Sequence, residues 1–154
     1  MTEQPEASEA LKPPAPRPCQ SCPYRRDVPS GLWHPDEYVK LALYDQSMSF
    51  QPQGVFMCHQ ADGRVCAGWA GCHDGEDLLA VRLAEVTRVI PPDIVKAIIE
   101  YVSPVPLFPS GTEAAKHGMA EVAAPGDEAK TLVRKLLRNN PSLETADPGD
   151  RSAP

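Results

Sequence analysis

All five cysteines and three of the four histidines lie between Cys19 and His73, and the chain has no cysteine on either side of that segment. Thiols used as small apolar core residues would also be scattered through the aliphatic segments further on. Their confinement points instead to a shared ligand. Cys19-Gln-Ser-Cys22-Pro23 is a C-x-x-C pair, in which two thiolates can turn toward one ion through a tight turn. The second segment supplies Cys58-His59, then Cys66-Ala67-Gly68, then Cys72-His73, within a stretch broken by glycines. Four ligands from two separated segments are what a tetrahedral ion or a cubane cluster requires. The spacing of the second half matches neither a zinc ribbon nor a zinc finger.

The ligand set read from this pattern is Cys19, Cys22, Cys58 and Cys66, with Cys72, His73 and His59 as replacements. His59 directly follows Cys58, and adjacent side chains in an extended segment point opposite ways, which places His59 beside an ion rather than on it. His34, ahead of a helix, and His117, near a helix end, read as structural. Zinc is the first choice of cofactor, since mixed Cys and His ligands suit its borderline softness, and a [4Fe-4S] cluster is the second. A third reading is a thiol site without metal. There Cys22, or Cys72 beside His73, would be a thiolate, with Arg25 and Arg26 nearby to favour it.

Composition narrows the setting. The length of 154 residues suits one domain, and with aromatics at only 6% the core must be largely aliphatic, so a metal staple would help it. A formal charge of −6 gives no long-range attraction to phosphate backbones, so nucleic acid is not expected as a partner. The N-terminal residues carry Glu3, Glu6 and Glu9 and no basic, apolar signal pattern, and no window approaches the roughly 18 apolar residues of a membrane span. A cytoplasmic, thiol-reducing location is expected.

Residues 1–18 and 140–154 are Pro-rich and without periodicity, and read as disordered tails. Residues 19–139 are expected to form one metal-stapled domain, with a metal-site half over 19–75 and a helical half over 76–139. Pro35, Asp36 and Glu37 open a helix in the usual N-terminal pattern. A short strand is expected over Gly54 to Cys58, with a turn at Asp62-Gly63. Leu79, Leu83, Val86 and Ile90 recur on one helical face up to Pro91-Pro92. Asp93 starts another helix, bearing Ile94, Val95, Ile98, Ile99 and Val102. Ser110 and Glu113 have capping-box spacing for a third, ended by Gly118, and residues 128–139 form an amphipathic, locally basic fourth. The class is thus an α-rich small α+β fold: a Cys-knuckle metal-binding core with short strands, followed by three to four helices, between disordered Pro-rich termini.

Four blocks in order, Cys19-x-x-Cys22-Pro23-Tyr24-Arg25, Cys58-His59, Cys66-Ala67-Gly68-Trp69 and Ala80-Val81-Arg82-Leu83-Ala84, resemble an uncharacterised bacterial and phage family of small cysteine-motif proteins. The resemblance spans about residues 19–84. It implies Cys19, Cys22, Cys58 and Cys66 as the shared set and no particular activity.

H-E-x-x-H, the deaminase signature and glycine-rich phosphate loops are all missing, and the carboxylates after His73 (Asp74, Glu76, Asp77) read as helix-start residues. A binding or regulatory module is therefore expected, meeting a protein partner through Arg64, Trp69 and the final helix. The alternative is an iron–sulfur or thiol-based redox protein or enzyme using Cys72 and His73.

Overall fold

A computed structural model describes residues 11–61 and 63–145. Among these residues the chain forms six α-helices, α1 (Pro35–Leu43), α2 (Ala67–Cys72), α3 (Leu79–Thr87), α4 (Pro92–Glu100), α5 (Gly111–Met119) and α6 (Asp127–Asn139), with short 3₁₀ turns at Met48–Phe50 and Gly75–Asp77. The expected α+β class is corrected accordingly. There are no strands and no sheet among the described residues, only single-residue bridges such as Met57 with Val65 and Lys12 with Arg64. The proline and glycines around Gly54 to Cys58 stop a ladder after one pair, because each break removes a donor or favours a bend. Nor does a ready-made Cys-knuckle metal core appear, since no three Cys, His, Asp or Glu side chains among the described residues stand in ligating geometry. Of the expected Asp62-Gly63 turn, Gly63 has φ +73° and Asp62 lies outside the described residues.

Helix starts follow their sequence signals. His34 caps α1 by accepting from Asp36 N at 3.1 Å, with Pro35 at the first helical position. Ser110 caps α5 by accepting from Glu113 N at 3.1 Å. The face of α3 was misread: Leu78, Val81 and Ala84 are buried, whereas Val86 is 81% exposed. That helix starts later and stops at Arg88, whose φ of +60° ends it before Ile90. On α4, Ile94, Val95 and Ile98 turn inward as expected, while Val102 lies beyond the helix and exposed. Gly118 does not terminate α5. It sits inside the helix, which packs closely on α1.

Two glycines set that packing. A Cβ at Gly111 would stand 2.0 Å from Leu41 O, and one at Gly118 would stand 2.1 Å from the Tyr38 ring. The Tyr38 hydroxyl in turn accepts from Leu32 N and Trp33 N at 3.1 and 3.0 Å, so the helix pair holds the segment that leads out of the cysteine region. Trp33 is fully buried and donates through Nε1 to Ser21 O at 2.9 Å.

The ends differ from free tails where they are described. Lys12 exchanges hydrogen bonds with Gly63 O (2.7 Å) and Val65 N (3.1 Å), and Pro18 is fully buried. At the other end Thr145 is 1% exposed and pairs with Trp33, while His34 N donates to Glu144 O at 3.1 Å. Backbone groups freed by the strand-poor core find partners in these segments, which low hydrophobicity alone does not reveal. Residues 1–10 and 146–154 of the expected tails lie outside the described residues. The apolar side of α6 is also closed against the protein, with Ala129, Val133 and Leu136 buried.

Gly111→Ala is expected to destabilise the protein by about 1–3 kcal/mol, since backbone, not a movable side chain, blocks the added methyl. Gly54→Ala, with nothing within 4 Å of its Cβ position, should stay within about 0.5 kcal/mol of wild type. Equal denaturant midpoints for the two variants would refute this account of the α1–α5 contact.

Candidate functional site

Two turns and one helix start bring the four first-choice cysteines together. Cys22 N donates to Cys19 O at 3.0 Å and Arg25 N to Cys22 O at 3.1 Å, which folds the C-x-x-C segment back on itself. Cys58 N donates to Arg64 O and Cys66 N to Phe56 O, both at 2.8 Å, so the stretches that carry Cys58 and Cys66 run side by side. Cys66 is the N-cap of α2, and its Sγ accepts from Trp69 N at 3.4 Å. The Sγ atoms of Cys22 and Cys66 are 3.9 Å apart, and Cys19 lies within hydrogen-bonding reach of Cys22 and Cys58. All four line one cavity of about 200 Å³, together with Arg17, Arg64 and Gln60.

Every cysteine is a free thiol. The Cys22–Cys66 separation is nearly twice a disulfide bond of about 2.05 Å. The four sulfurs share the cavity without closing on one point, as the lack of ligating geometry among the described residues requires. Contact between thiols favours the protonated form of Cys19, Cys22 and Cys58. Cys19 is pushed up to about 11, first by its hydrogen bond with Cys22 and then by burial, with Cys58 opposing. Contact with Cys19, and then burial, raise Cys58. The hydrogen bond with Cys19 favours the Cys22 thiolate, but the Cys66 contact and burial outweigh it and leave Cys22 well above the ordinary thiol range.

Two residues that sequence reasoning passed over shape this cavity. A Cβ on Gly68 would lie 2.3 Å from Cys22 Sγ and 2.8 Å from Tyr24 Cβ, so only glycine lets α2 approach the C-x-x-C segment. Its place directly after Cys66-Ala67 was the available signal. Arg17, at the cavity wall, had none. Arg25 is held by Asp27 at 2.7 and 2.8 Å and donates to Pro18 O and Cys19 O at 3.1 and 3.4 Å, so it fixes the backbone at Cys19. Arg26 donates to Leu107 O at 2.9 Å and lies over Phe108.

The replacement ligands are elsewhere. Cys72 and His73, at the far end of α2, line a separate cleft of about 590 Å³ with Tyr44, Asp45, Asp74 and Asp77. Burial, and then the nearby Asp45 charge, push Cys72 up to about 12. His73 Nδ1 stands 3.9 Å from Asp45 Oδ1, and burial lowers its pKa. Asp45 itself caps α5, accepting from Gly111 N at 3.0 Å and from Thr112, a role invisible at a separation of 66 residues. Asp74 accepts from Glu76 N at 2.9 Å, the helix-start role expected of it. His59 turns away from the thiols: its Nε2 meets Glu37 Oε1 at 2.8 Å and its ring lies 4.7 Å from that of Trp33. His117 Nε2 bonds to Val28 O at 2.8 Å, a structural contact. Trp69 is fully buried, so it is not presented as the expected interaction surface requires, whereas Arg64 is half-buried and donates through NH1 to Pro13 O at 2.8 Å.

Residues 14–138 match a family described as "Family of unknown function (DUF6283)". The chain belongs to this family. The match covers both the thiol cavity and the helices that support it, and agrees with the uncharacterised family that the four sequence blocks suggest. No curated protein and no solved structure matches the chain. No helix among the described residues is long and apolar enough to cross a membrane.

Two groups here give a pH dependence on the acid side of neutrality. Glu37 is held down to about 2 from its ordinary 4.5, first by the hydrogen bond with His59 and further by Lys40, although burial opposes. Its contribution is present above pH 4.5 and lost as pH falls toward 2. His73 is depressed by burial, so its contribution is present above its ordinary 6.5 and lost as pH falls below that value. Thermal melts should therefore decline in two stages below neutrality, and fall again above the ordinary thiol value of 9.0, because Cys19, Cys22 and Cys72 stay protonated in the fold and ionise more readily once it opens. In Glu37→Gln the stage below pH 4.5 should flatten, and an unchanged profile in that variant would disprove the assignment.

Proposed function

We propose that the protein is a small metal-binding module in which Cys19, Cys22, Cys58 and Cys66 hold one zinc ion. The observation that carries this reading is the convergence of four unpaired thiols on one cavity. With Zn–S near 2.3 Å, two sulfurs of a tetrahedral site lie about 3.8 Å apart. The 3.9 Å between Cys22 and Cys66 agrees with that edge. On a cubane cluster each thiolate binds a different iron and points outward, so its sulfurs spread wider. A [4Fe-4S] cluster thus has less support than zinc. The remaining sulfurs reach a common ion by side-chain rotation, since the backbone turns already face them toward one space.

A tetrathiolate zinc site carries two negative charges, and burying them requires compensation. Arg17 and Arg64 at the cavity wall supply it within an otherwise acidic chain. The module would serve as a rigid support for contact with a protein partner in the cytoplasm, where thiols stay reduced, and the four-block resemblance would put its relatives among bacterial and phage proteins. Thiolate redox chemistry at Cys72 and His73 has weaker support. Burial beside Asp45 keeps that thiol protonated, and Arg25 and Arg26 are engaged elsewhere.

Protein purified with reduced thiols should contain about one zinc per chain by mass spectrometry, and its cobalt form should show thiolate charge-transfer bands. Cys22→Ser and Cys66→Ser should abolish binding and lower the melting temperature, while Cys72→Ser keeps the metal. Gly68→Ala, which drives a methyl into Cys22 Sγ, should weaken zinc binding by about tenfold or more. Because the thiols must shed protons to bind, affinity should climb steeply with pH. Iron and sulfide in place of zinc would transfer the site to a cluster, and neither metal would sink the proposal.

A further inference from the structure

Among the described residues, five buried side-chain polar atoms have no hydrogen-bond partner in the protein, and three of them, Tyr24 Oη, Trp69 Nε1 and His73 Nε2, belong to His73 and two rings packed against it. Tyr24 and Trp69 are 0% exposed and the His73 side chain 10%. The His73 ring stands 5.9 Å from Tyr24 and 6.5 Å from Trp69, between centroids, with Tyr44 and Phe56 closing the sides. Buried polar groups are almost always satisfied, by ordered water where protein does not reach.

The three atoms differ in what they offer. An indole N–H only donates, and a phenol both donates and accepts. His73 Nδ1 stands 3.9 Å from Asp45 Oδ1, too far for a hydrogen bond, so Nε2 donates or accepts according to the tautomer. One donor and two groups of either kind make a set that a single water molecule completes: it accepts from Trp69 and bonds to His73 and Tyr24 in the senses that remain.

We propose that Tyr24, Trp69 and His73 form a binding site for one buried water molecule, placed between the thiol cavity and the Cys72–His73 cleft. The site is independent of the zinc reading. It gives Tyr24 a purpose beyond packing, and it gives the inner nitrogen of His73 a partner. His73 is thus a wall shared by an internal solvent site and the cleft it lines with Cys72 and Asp45.

A high-resolution crystal structure tests the site, together with water-to-indole cross-relaxation by NMR. The expected result is one ordered solvent molecule within hydrogen-bond distance of all three atoms and a long-lived water contact at the Trp69 indole proton. Tyr24→Phe, which keeps the ring and removes only the hydroxyl, should melt about 2–8 °C lower. A map without solvent there, or a Tyr24→Phe protein more stable than wild type, would overturn the proposal, since removing a merely orphaned hydroxyl relieves the fold. Solvent bonded to Trp69 and His73 alone, with Tyr24→Phe unchanged, would overturn the part given to Tyr24. Should Tyr24→Phe fail to fold, the wild-type map and cross-relaxation still decide.

Discussion

The close approach of α2 to the Cys22–Tyr24 segment is the contact on which the rest of the structure depends. It exists because position 68 has no Cβ, and it sets Cys66 against Cys22 and Trp69 beneath the thiols. From that contact the C-terminal end of the same short helix is carried to Tyr44 and Asp45, which α1 delivers. One helix of six residues thereby links two chemically different regions: a sulfur-lined cavity with arginines at one end, and an acidic cleft with an imidazole and a thiol at the other.

The candidate site was more legible than the fold around it. Clustering of cysteines in sequence is a direct record of the need to meet in space, and the four first-choice thiols share a cavity while Cys72 and His73 do not. His59, named among the replacement ligands, turns instead to Glu37, in keeping with the alternation of side chains next to Cys58. What stayed hidden were contacts set by approach between distant segments. Gly118 reads as helix punctuation and Gly111 carries no signal, but both work as the contact surface of α5 on α1. A short strand looked plausible where a single bridge forms, since a run of residues with strand character says nothing about the length of its partner.

Helix faces show the same limit. For α4 the apolar residues outnumber the polar ones on one side and the inward face is unambiguous. On α3, alanines share the buried side with Val81 while Val86 faces out, so a count of large apolar residues selects the wrong stripe. Small residues bury where helices are close, a property of the assembled core and not of the helix itself.

The pairing of Thr145 with Trp33 has a consequence for synthesis. Trp33 is at the centre of the core, shielded by Tyr38, His59 and Ser21, and its last backbone neighbour is made more than a hundred residues after it. A chain still being translated can form the α1–α5 pair and gather its cysteines, yet the segment around Trp33 stays open along one side until residue 145 has cleared the exit tunnel. Closure of the fold around Trp33 thereby waits for the synthesis of Thr145, and the growing chain keeps its tryptophan within reach of chaperones until then.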